Sequence, residues 1–577
     1  MYLLSAGMIS ILSPLNVVAI VLSASFVSYI IFKQYEPRHH GQLITLLVVV
    51  PMLLAALVSL PCSTLQATFS TFVSYYFLLL FYTVAYRLSP LHPLAAYPGP
   101  VYARVSKWWS SYICADGKQH IYYKTLHDRF GDVVRVGPNE LSIRDASAIP
   151  SVLGVSGLPK GPFWDHRTSP PPLIGIRDPH AHAERRQNWN RGFTSGAIKQ
   201  YELILANRCR QLVECFDDRI RAAGEVATAT VDAGAWMSYF TTDFLGDMAF
   251  GEGFDMMADG GDPCGIWSIF ESGMKDHAIF GHASWCLPLL SCLPGNGRRI
   301  KRMRQLGENK LAKRMKMGPM RKDLFYYLND EEGFNTVRPT HATLASDTIL
   351  SIVAGSDTTA TVLTALIWYL LKHPETYIRL QEEVDSTFPP GDEPIDATNL
   401  ANMPYLNACI NETMRLQPPV PSGSQRSVLR GTGPKVLGSH IIPEGTQIFI
   451  HTYSVHRDPR NFSPAPDSFV PERWLASTDL QDPASKLGDP SAGRLDVTPI
   501  RKATHNSAAF MPFSYGPTVC VGKNLALLEM RMVACWLLSR FTMRPAKGTD
   551  LQAFEESIED YFVVKKGALW VEIQART

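Results

Sequence analysis

The sequence lacks paired cysteines. It contains ten cysteines, and no two of them stand at a spacing such as C-x-x-C. A secreted domain held by disulfides, or one built on structural zinc, would show such pairs. The absence of such pairs therefore favours a protein that lies in a reducing compartment, on the cytosolic side. The chain also lacks an excess of either charge, because 55 basic and 53 acidic residues give a net charge of +2. This balance gives no reason to expect a nucleic-acid partner.

Charged side chains are nearly absent from the first 86 residues, where only Lys33, Glu36 and Arg38 are charged. As helices of about 1.5 Å per residue, three apolar runs would be roughly 31, 27 and 33 Å long, close to the hydrocarbon core of about 30 Å. The runs are Leu12–Phe32, Leu43–Leu60 and Leu65–Tyr86. A cleaved signal peptide would instead show a basic start and one short apolar core. We therefore expect residues 1–87 to form a membrane anchor with about three transmembrane helices.

The short loops set the expected orientation of this anchor. The first connection, from Lys33 to Gln42, carries basic residues, whereas the second carries no charge. Basic loops stay on the cytoplasmic side, so we expect the N-terminus outside and everything after Tyr86 in the cytosol. No Asp, Glu, Lys, Arg or His lies inside any run, which removes the usual mark of a transport path.

Beyond the anchor, prolines recur too often in residues 88–100 for a helix. We expect a semi-rigid hinge there and one catalytic domain over residues 101–577. A strand pair is predicted at Asp132–Val136 and Glu140–Ile143, and Ala476–Asn506 is polar enough for a surface insertion. Long helical patterns are present at Gln200–Ala222, Asp232–Phe250, Thr343–Lys372 and Met403–Leu416.

Cys520 stands between two glycines, Gly516 and Gly522, directly before a helical pattern. A thiolate that ligates a metal from a loop needs the backbone to curl around the sulfur, and glycine permits such angles. The following helix would present its N-terminus to the anionic sulfur, and Phe513 would keep water away. Taken alone, a lone cysteine between glycines is more often a buried core residue.

The whole string, F-x-x-G-x-x-x-C-x-G, resembles the haem-binding signature of the cytochrome P450 family. The resemblance implies that the Cys520 thiolate is the axial ligand of haem iron. Phe513, Gly516 and Gly522 match the same signature. The sequence departs from it at Thr518, where the family usually carries an arginine that pairs with a haem propionate. With a neutral residue at this position, other cationic side chains would have to pair with that propionate.

Residues 354–359 interrupt a long apolar helix pattern with A-G-S-D-T-T. Gly355 in a helix interior costs about 1 kcal/mol relative to Ala, so another factor should favour it, such as the approach of a flat ligand. The string resembles the family's oxygen-activating motif, A-G-x-D/E-T. The resemblance implies that Thr358 hydrogen-bonds the oxygen and that Asp357 relays protons. In isolation, a helix kink with solvated polar residues is the simpler interpretation.

Glu412 and Arg415 stand at i, i+3 and share a helix face. About one or two E-x-x-R strings occur by chance in a chain of this length. Here, however, a proline-rich string and later P-E-R-W, which contains Arg473, follow in the family's order. The resemblance implies that Glu412, Arg415 and Arg473 form a buried ion cluster that supports the haem pocket.

Three more residues are expected to hold the haem. Arg426 matches a family position that contacts a propionate, and arginine pairs well with carboxylates. His182 and Arg186 stand at i, i+4 and would replace the usual W-x-x-x-R of the helix over the other propionate. The alternative for these two is a solvated basic helix face.

The resemblance covers the chain from near Pro90 to the C-terminus. It implies a mainly α fold with a small β portion, the cytochrome P450 fold, behind N-terminal transmembrane helices. It also implies haem b as the cofactor and an NADPH-cytochrome P450 reductase as the electron source. The expected location is the endoplasmic reticulum membrane, crossed several times, with the catalytic domain in the cytosol.

The implied reaction inserts one oxygen atom of dioxygen into a lipophilic small molecule. By resemblance, the pocket would draw on the segments Gly161–Ile176, Ile352–Thr359, Val420–Gln425 and Tyr561–Phe562. The wording M-P-F-S-Y-G-P from Met511 resembles fungal members and suggests specialised metabolism. Two alternatives stay open: a haem-thiolate isomerase or dehydratase, and a membrane scaffold or transport protein with an inactive haem domain.

Overall fold

The structure, a computed structural model, describes residues 14–35, 40–58, 64–165, 168–224, 228–287, 298–318, 322–335, 337–475 and 504–576. Most of the predicted insertion, Ala476–Asn506, lies outside these residues. The chain forms two compact units. The first reaches to Trp109 and includes Arg135–Asn139 and a short segment from Trp285, and the second contains the rest.

The apolar N-terminal runs are helical where the structure describes them. The elements are α1 (Pro14–Tyr35), α2 (His40–Ile44), a π-helical stretch (Thr45–Val49), α3 (Val50–Val58), α4 (Thr64–Leu88) and α5 (Val101–Val105). Leu15–Tyr35, Gly41–Val58 and Thr64–Leu88 are long and apolar enough to cross a membrane. These segments coincide with the three predicted runs.

Side-chain contacts join these helices. The Tyr75 hydroxyl donates to the Leu46 carbonyl at 2.7 Å, because a polar group in an apolar segment needs a protein partner. α1 continues past its predicted end at Phe32, so Lys33 lies in its last turn and not in a loop. The Lys33 Nζ atom lies 3.6 Å from the ring centroid of Tyr86.

The second unit is mostly helical. Its helices, counted on from α5, are α6 (Lys107–Ala115), α7 (Gln119–Phe130), α8 (Ile149–Leu153), α9 (Pro179–Gly192), α10 (Ser195–Ala222), α11 (Ala233–Phe250), α12 (Met256–Asp259), α13 (Ile266–Gly281), α14 (Arg298–Met317), α15 (Leu324–Leu328), α16 (His341–Lys372), α17 (Pro374–Thr387), α18 (Ala397–Ala401), α19 (Pro404–Leu416), α20 (Thr452–Val455), α21 (Lys523–Arg540) and α22 (Leu551–Ser557). The four long helices predicted from the sequence are α10, α11, α16 and α19.

The strands are short and form small sheets. They are β1 (Val133–Gly137), β2 (Glu140–Ile143), β3 (Thr228–Asp232), β4 (Arg426–Ser427), β5 (Lys435–Leu437), β6 (His440–Ile442), β7 (Gln447–Ile450), β8 (Phe462–Ser463), β9 (Thr504–His505), β10 (Phe541–Pro545), β11 (Glu559–Tyr561), β12 (Val563–Lys565) and β13 (Trp570–Ala575). The larger sheets have the orders β1-β2-β7-β4 and β10-β13-β3. The prediction of a mainly α fold with a small β portion is confirmed.

The core of the second unit is organised around α16. This helix is apolar enough to cross a membrane, but 72% of its most apolar window is buried inside the protein. It packs against α11, α14, α19 and α21. Its N-cap is Thr340, whose side chain accepts a hydrogen bond from the Thr343 amide, and such a cap stabilises a helix start by about 1 kcal/mol. α16 is therefore a core helix of the globular unit.

We predict that neither N-x-S/T sequon after the anchor is glycosylated. Asn411 lies inside α19 and Asn461 is buried, so a glycan at either position would disrupt the fold. The full-length protein from a eukaryotic host should keep its mobility after endoglycosidase treatment. An N-terminal extension that carries an added sequon is the control and should be glycosylated. A glycan mapped to Asn411 or Asn461 would overturn the expected topology.

Candidate functional site

The loop before α21 holds Cys520 by its backbone. The Cys520 amide donates to the Phe513 carbonyl at 2.9 Å. Gly516 has φ +70, and a Cβ atom there would collide with the Leu153 carbonyl oxygen and the Cα of Gly154. Only glycine meets both conditions without strain. The spacing between Gly516 and Cys520 is therefore a requirement of the loop's geometry.

The Cys520 side chain faces an internal cavity. The residue has exposed surface, yet it lines a cavity of about 410 Å³, so its exposure is to the cavity and not to the outer surface. Burial raises the pKa of the Cys520 thiol, while the amides of Gly522 and Lys523 and the Arg186 guanidinium lower it. A metal at this position would deprotonate the thiol.

Cationic groups line the same end of the cavity. The Arg186 Nη2 atom donates to the Val519 carbonyl at 2.6 Å, one residue before the cysteine. His182, one turn before Arg186, also lines the cavity. Burial, with the positive charges of Lys160, Arg186 and Arg426, lowers the pKa of His182 to about 4. His182 is therefore neutral at pH 7 and can act as a hydrogen-bonding group there.

Arg426 lies beside Thr518, the position at which the sequence departs from the signature. Its Nη2 atom donates to the Thr518 hydroxyl at 2.5 Å, and its Nη1 donates to the Leu158 carbonyl at 3.2 Å. Its Nε atom is buried and has no hydrogen-bond partner among the described residues. Burial lowers the pKa of Arg426 to about 10. A buried guanidinium without a carboxylate partner calls for an anion.

Lys160 is a further basic side chain that lines the cavity together with Arg186 and Arg426. It was not among the residues predicted from the sequence. Its Nζ donates to the carbonyls of Leu173 at 3.1 Å and Ile174 at 2.7 Å. Burial, together with Arg426 and Arg186, lowers the pKa of Lys160 to about 7. Lys160 lies far from both arginines in sequence and in no motif. A lone L-P-K-G string carries no signal of such a role.

These features fit a haem. The cavity is lined by a thiol and mainly by apolar side chains, and among the described residues a buried arginine atom there lacks a hydrogen-bond partner. A haem is flat and apolar with two carboxylates on one edge. Arg186, Arg426 and Lys160 can hold those carboxylates, and Cys520 can ligate the iron. Phe513 also lines this end.

The chemical residues predicted on α16 lie on two faces. The Thr358 hydroxyl donates to the Ala354 carbonyl at 2.8 Å, and both residues line the cavity. Asp357 is outside the cavity lining and is influenced by Lys566 and Glu271. Burial raises the pKa of Asp357 to about 6. Of the predicted pair, Thr358 therefore lines the cavity, whereas the Asp357 carboxyl is outside the cavity lining.

The packing at Gly355 differs from the expectation. A Cβ atom at Gly355 would collide with the side chain of Leu245 on α11. Gly355 also lines the cavity. A side chain at this position would force Leu245 to move, so the glycine favours the close approach of two helices, in addition to any approach of a ligand.

The three residues predicted as an ion cluster lie together. Glu412 accepts from Arg415 through both carboxylate oxygens, each at 2.8 Å, and from Arg473 Nε at 3.0 Å. The Trp474 Nε1 and the Val470 amide also donate to Glu412, each at 2.9 Å. Both carboxylate oxygens of Glu412 thus accept hydrogen bonds, as the charge of a buried carboxylate requires.

The cavity wall contains residues from each predicted segment and from helices that were not predicted to line it. Trp164, Val353, Gly423 and Phe562 represent the predicted segments. The additional residues are Phe244, Leu245 and Met248 on α11, Met274 and His277 on α13, Met303 and Arg304 on α14, and Glu529 on α21. Their distance in sequence from the motifs explains why they were missed.

Comparison with known proteins adds independent evidence. A family model described as "Cytochrome P450" matches residues 105–570. The chain is 34% identical over 466 residues to cytochrome P450 monooxygenase nodW of Hypoxylon pulicicidum, which covers 81% of this chain and 79% of that protein. It is 33% identical over 482 residues to cytochrome P450 67 of Uromyces fabae, with 82% and 84% covered. It is 34% identical over 509 residues to cytochrome P450 monooxygenase FCK2 of Fusarium pseudograminearum, with 86% and 85% covered.

We predict that Arg426 is a main holder of the haem carboxylates. A charge-assisted hydrogen bond contributes about 1.5–3 kcal/mol, so Arg426→Ala should speed haem transfer to an apo-globin by about tenfold or more. Thr518→Val removes only the hydroxyl that orients Arg426 and should have a smaller effect in the same direction. The transfer is followed by the change in haem absorption.

Arg430→Ala is the control for this experiment, because Arg430 is exposed and outside the cavity lining. It should leave the transfer rate unchanged. Thr518→Arg tests the departure itself and should slow the transfer if a carboxylate still lacks a partner. An Arg426→Ala protein with the parent's transfer rate would show that other groups hold the carboxylates.

Proposed function

Because the chain belongs to the cytochrome P450 family, we propose that it is a haem-thiolate monooxygenase that oxidises a lipophilic small molecule with dioxygen. It is an enzyme of the oxidoreductase class, and the relatives described above are named cytochrome P450 or cytochrome P450 monooxygenase. The observation that carries the proposal is the side chain of Cys520 on the wall of an apolar cavity that Thr358 also lines. That arrangement supports the proposal, because a candidate thiolate ligand and a hydroxyl line the same cavity.

The protein's own residues supply ligand, electrostatics and enclosure. When bound, the haem supplies the activation of dioxygen and the transfer of one oxygen atom to the substrate. Cys520 donates its thiolate, and the Gly522 and Lys523 amides stabilise the negative sulfur. Arg186, Arg426 and Lys160 hold the carboxylates, His182 adds a neutral hydrogen-bonding group, and Phe513 excludes water.

The proton that the reaction needs would pass through α16. The Thr358 hydroxyl donates a hydrogen bond to the Ala354 carbonyl, so its oxygen lone pairs can accept a hydrogen bond from another donor. Asp357, the neighbouring residue, has a pKa raised to about 6 by burial, so it can both hold and release a proton near neutral pH. Asp357 would take up protons on the far face of the helix, and Thr358 would position them in the cavity.

The ion cluster would act on the site through the backbone. The Arg415 Nη1 atom donates to the His456 carbonyl at 2.7 Å, and His456 Nε2 accepts from the Met511 amide at 3.0 Å. Met511 opens the string that leads to Cys520. Glu412, with Arg415 and Arg473, would thus hold the cysteine loop in place, and loss of Glu412 would leave two uncompensated buried charges.

The finer features of the proposal concern the protein's surroundings. Residues 1–87 would anchor the chain in the endoplasmic reticulum membrane, residues 88–100 would form the hinge, and residues 101–577 would form the catalytic domain. An NADPH-cytochrome P450 reductase would supply electrons. The fungal relatives and the wording around Met511 support a role in specialised metabolism.

We predict that Cys520→Ser abolishes both the red-shifted absorption of the reduced, carbon monoxide-bound protein and turnover with a reductase. Serine binds haem iron poorly, so the defining thiolate signal should disappear. Cys264→Ser, at an exposed cysteine, is the control and should keep the absorption band. Retention of the band in Cys520→Ser would refute the ligand assignment.

The proton path gives a second prediction, which also separates a monooxygenase from an isomerase. Thr358→Ala should bind haem normally but form at least about tenfold less product per NADPH consumed, because a positioned side chain in a proton path contributes about 10²–10⁴ in rate. Peroxide release should rise in parallel, and Thr358→Ser should restore the ratio. An unchanged ratio in Thr358→Ala would favour chemistry without oxygen activation.

A further inference from the structure

The end of the cavity remote from Cys520 carries two polar residues that the proposed mechanism does not use. His277 of α13 and Arg304 of α14 both line the cavity. Met274, one turn from His277, and Met303, next to Arg304, line it as well. This end is therefore a wall of α13 and α14 in which basic and polar groups stand among apolar ones.

Close packing around two glycines shows how α13 and α14 lie against each other and against α16. A Cβ atom at Gly273 of α13 would lie 3.2 Å from the Met303 sulfur of α14. A Cβ atom at Gly307 of α14 would lie 2.5 Å from Cγ1 of Ile349 on α16. The two helices thus cross closely, and α14 lies against α16 at Ile349. Arg304, one turn before Gly307, is held near this part of α16 by backbone packing.

The distance between two parts of the cavity wall can be measured along the helix α16. Ser346, Ile349 and Thr358 of α16 all line it, and Ile349 lies beside Gly307 of α14. At about 1.5 Å per residue, the helix rise from Thr358 back to Ile349 and Ser346 is roughly 14 to 18 Å. The wall between them is apolar and includes Leu350 and Val353. The cavity is therefore elongated, with its reactive end and its Arg304 end well separated.

The charge at the remote end is positive. Among the described residues that line the cavity, Glu529 is the only carboxylate, and α21 places it at the Cys520 end. Arg304 is half-buried and makes interactions of its own within the protein. A guanidinium has five donors in a planar fork, so it can keep such a contact and still bind a carboxylate. In an apolar wall that pairing is stronger than in water.

We propose that the substrate is an elongated lipophilic molecule with a carboxylate at the end remote from the oxidised carbon, and that Arg304 binds this carboxylate. His277 supports the site, since its Nδ1 lies 2.8 Å from the Gly273 carbonyl and fixes the ring beside the cavity. This inference rests on the proposed function, because the haem defines the reactive end. It names the substrate's chemical class and its orientation.

The test uses full-length protein in lipid nanodiscs, loaded with haem, and matched pairs of acids and esters. The probes are dodecanoate with methyl dodecanoate and abietate with methyl abietate. Binding is measured from the shift in haem absorption on titration, without turnover. A charge-assisted pair should make at least one acid bind about ten- to a hundredfold more tightly than its ester. Arg304→Gln should remove this preference, and Arg304→Lys should retain part of it.

Arg302→Gln is the matched control, because Arg302 is exposed on the same helix and does not line the cavity. It should keep the parent's preference for the acid. Equal or tighter binding of both esters, no binding of either acid, or an unchanged preference in Arg304→Gln would overturn the inference. The carbon monoxide difference band of each variant is recorded first. Loss of that band in the parent protein would refute the proposed function, whereas its presence confines a negative result to Arg304.

Discussion

The second unit depends on how the long helix α16 is fixed in its core. The buried Asp347 of this helix accepts hydrogen bonds from the Leu173 amide at 3.0 Å and from Arg185 at 2.8 Å. Burial raises the pKa of Asp347 and Arg185 lowers it. The Leu173 carbonyl in turn accepts from Lys160. One carboxylate thus joins α16, α9 and the loop that carries Lys160, so the helix that carries Thr358 and the segment that carries Lys160 share one support.

The departure at Thr518 becomes understandable in this framework. A second arginine at that position would have to share a small buried space with Arg426, whose guanidinium already bonds the Thr518 hydroxyl. Lys160 adds a further cation to the same space. Arg426 and Lys160 thus bring positive charge to the cysteine loop from two other parts of the chain. The loop itself holds the Cys520 backbone and provides the hydroxyl to which Arg426 donates.

Tertiary packing also changed the meaning of residues that the motifs had identified. Asp357 and Thr358 are neighbours in sequence, but consecutive residues on a helix point in directions about 100° apart. Only the position of α16 among its neighbours shows which one reaches the cavity. Gly355 likewise matched a ligand-approach motif, and the structure adds a close contact with the Leu245 side chain of α11. The packing thus shows the surroundings of these residues, while the roles that the motif implies for them stay predictions.

The sequence by itself indicated the family, the mainly helical fold and the three apolar runs. These features follow from local spacing and hydropathy, which a single stretch of chain contains in full. Only the tertiary structure decided the place of Lys160 beside Arg426 and of Arg304 on the cavity wall. Both residues lie in segments without a motif, and each obtains its environment from helices and loops that are distant in sequence. Such a juxtaposition depends on the packing of whole helices, and no local pattern records it.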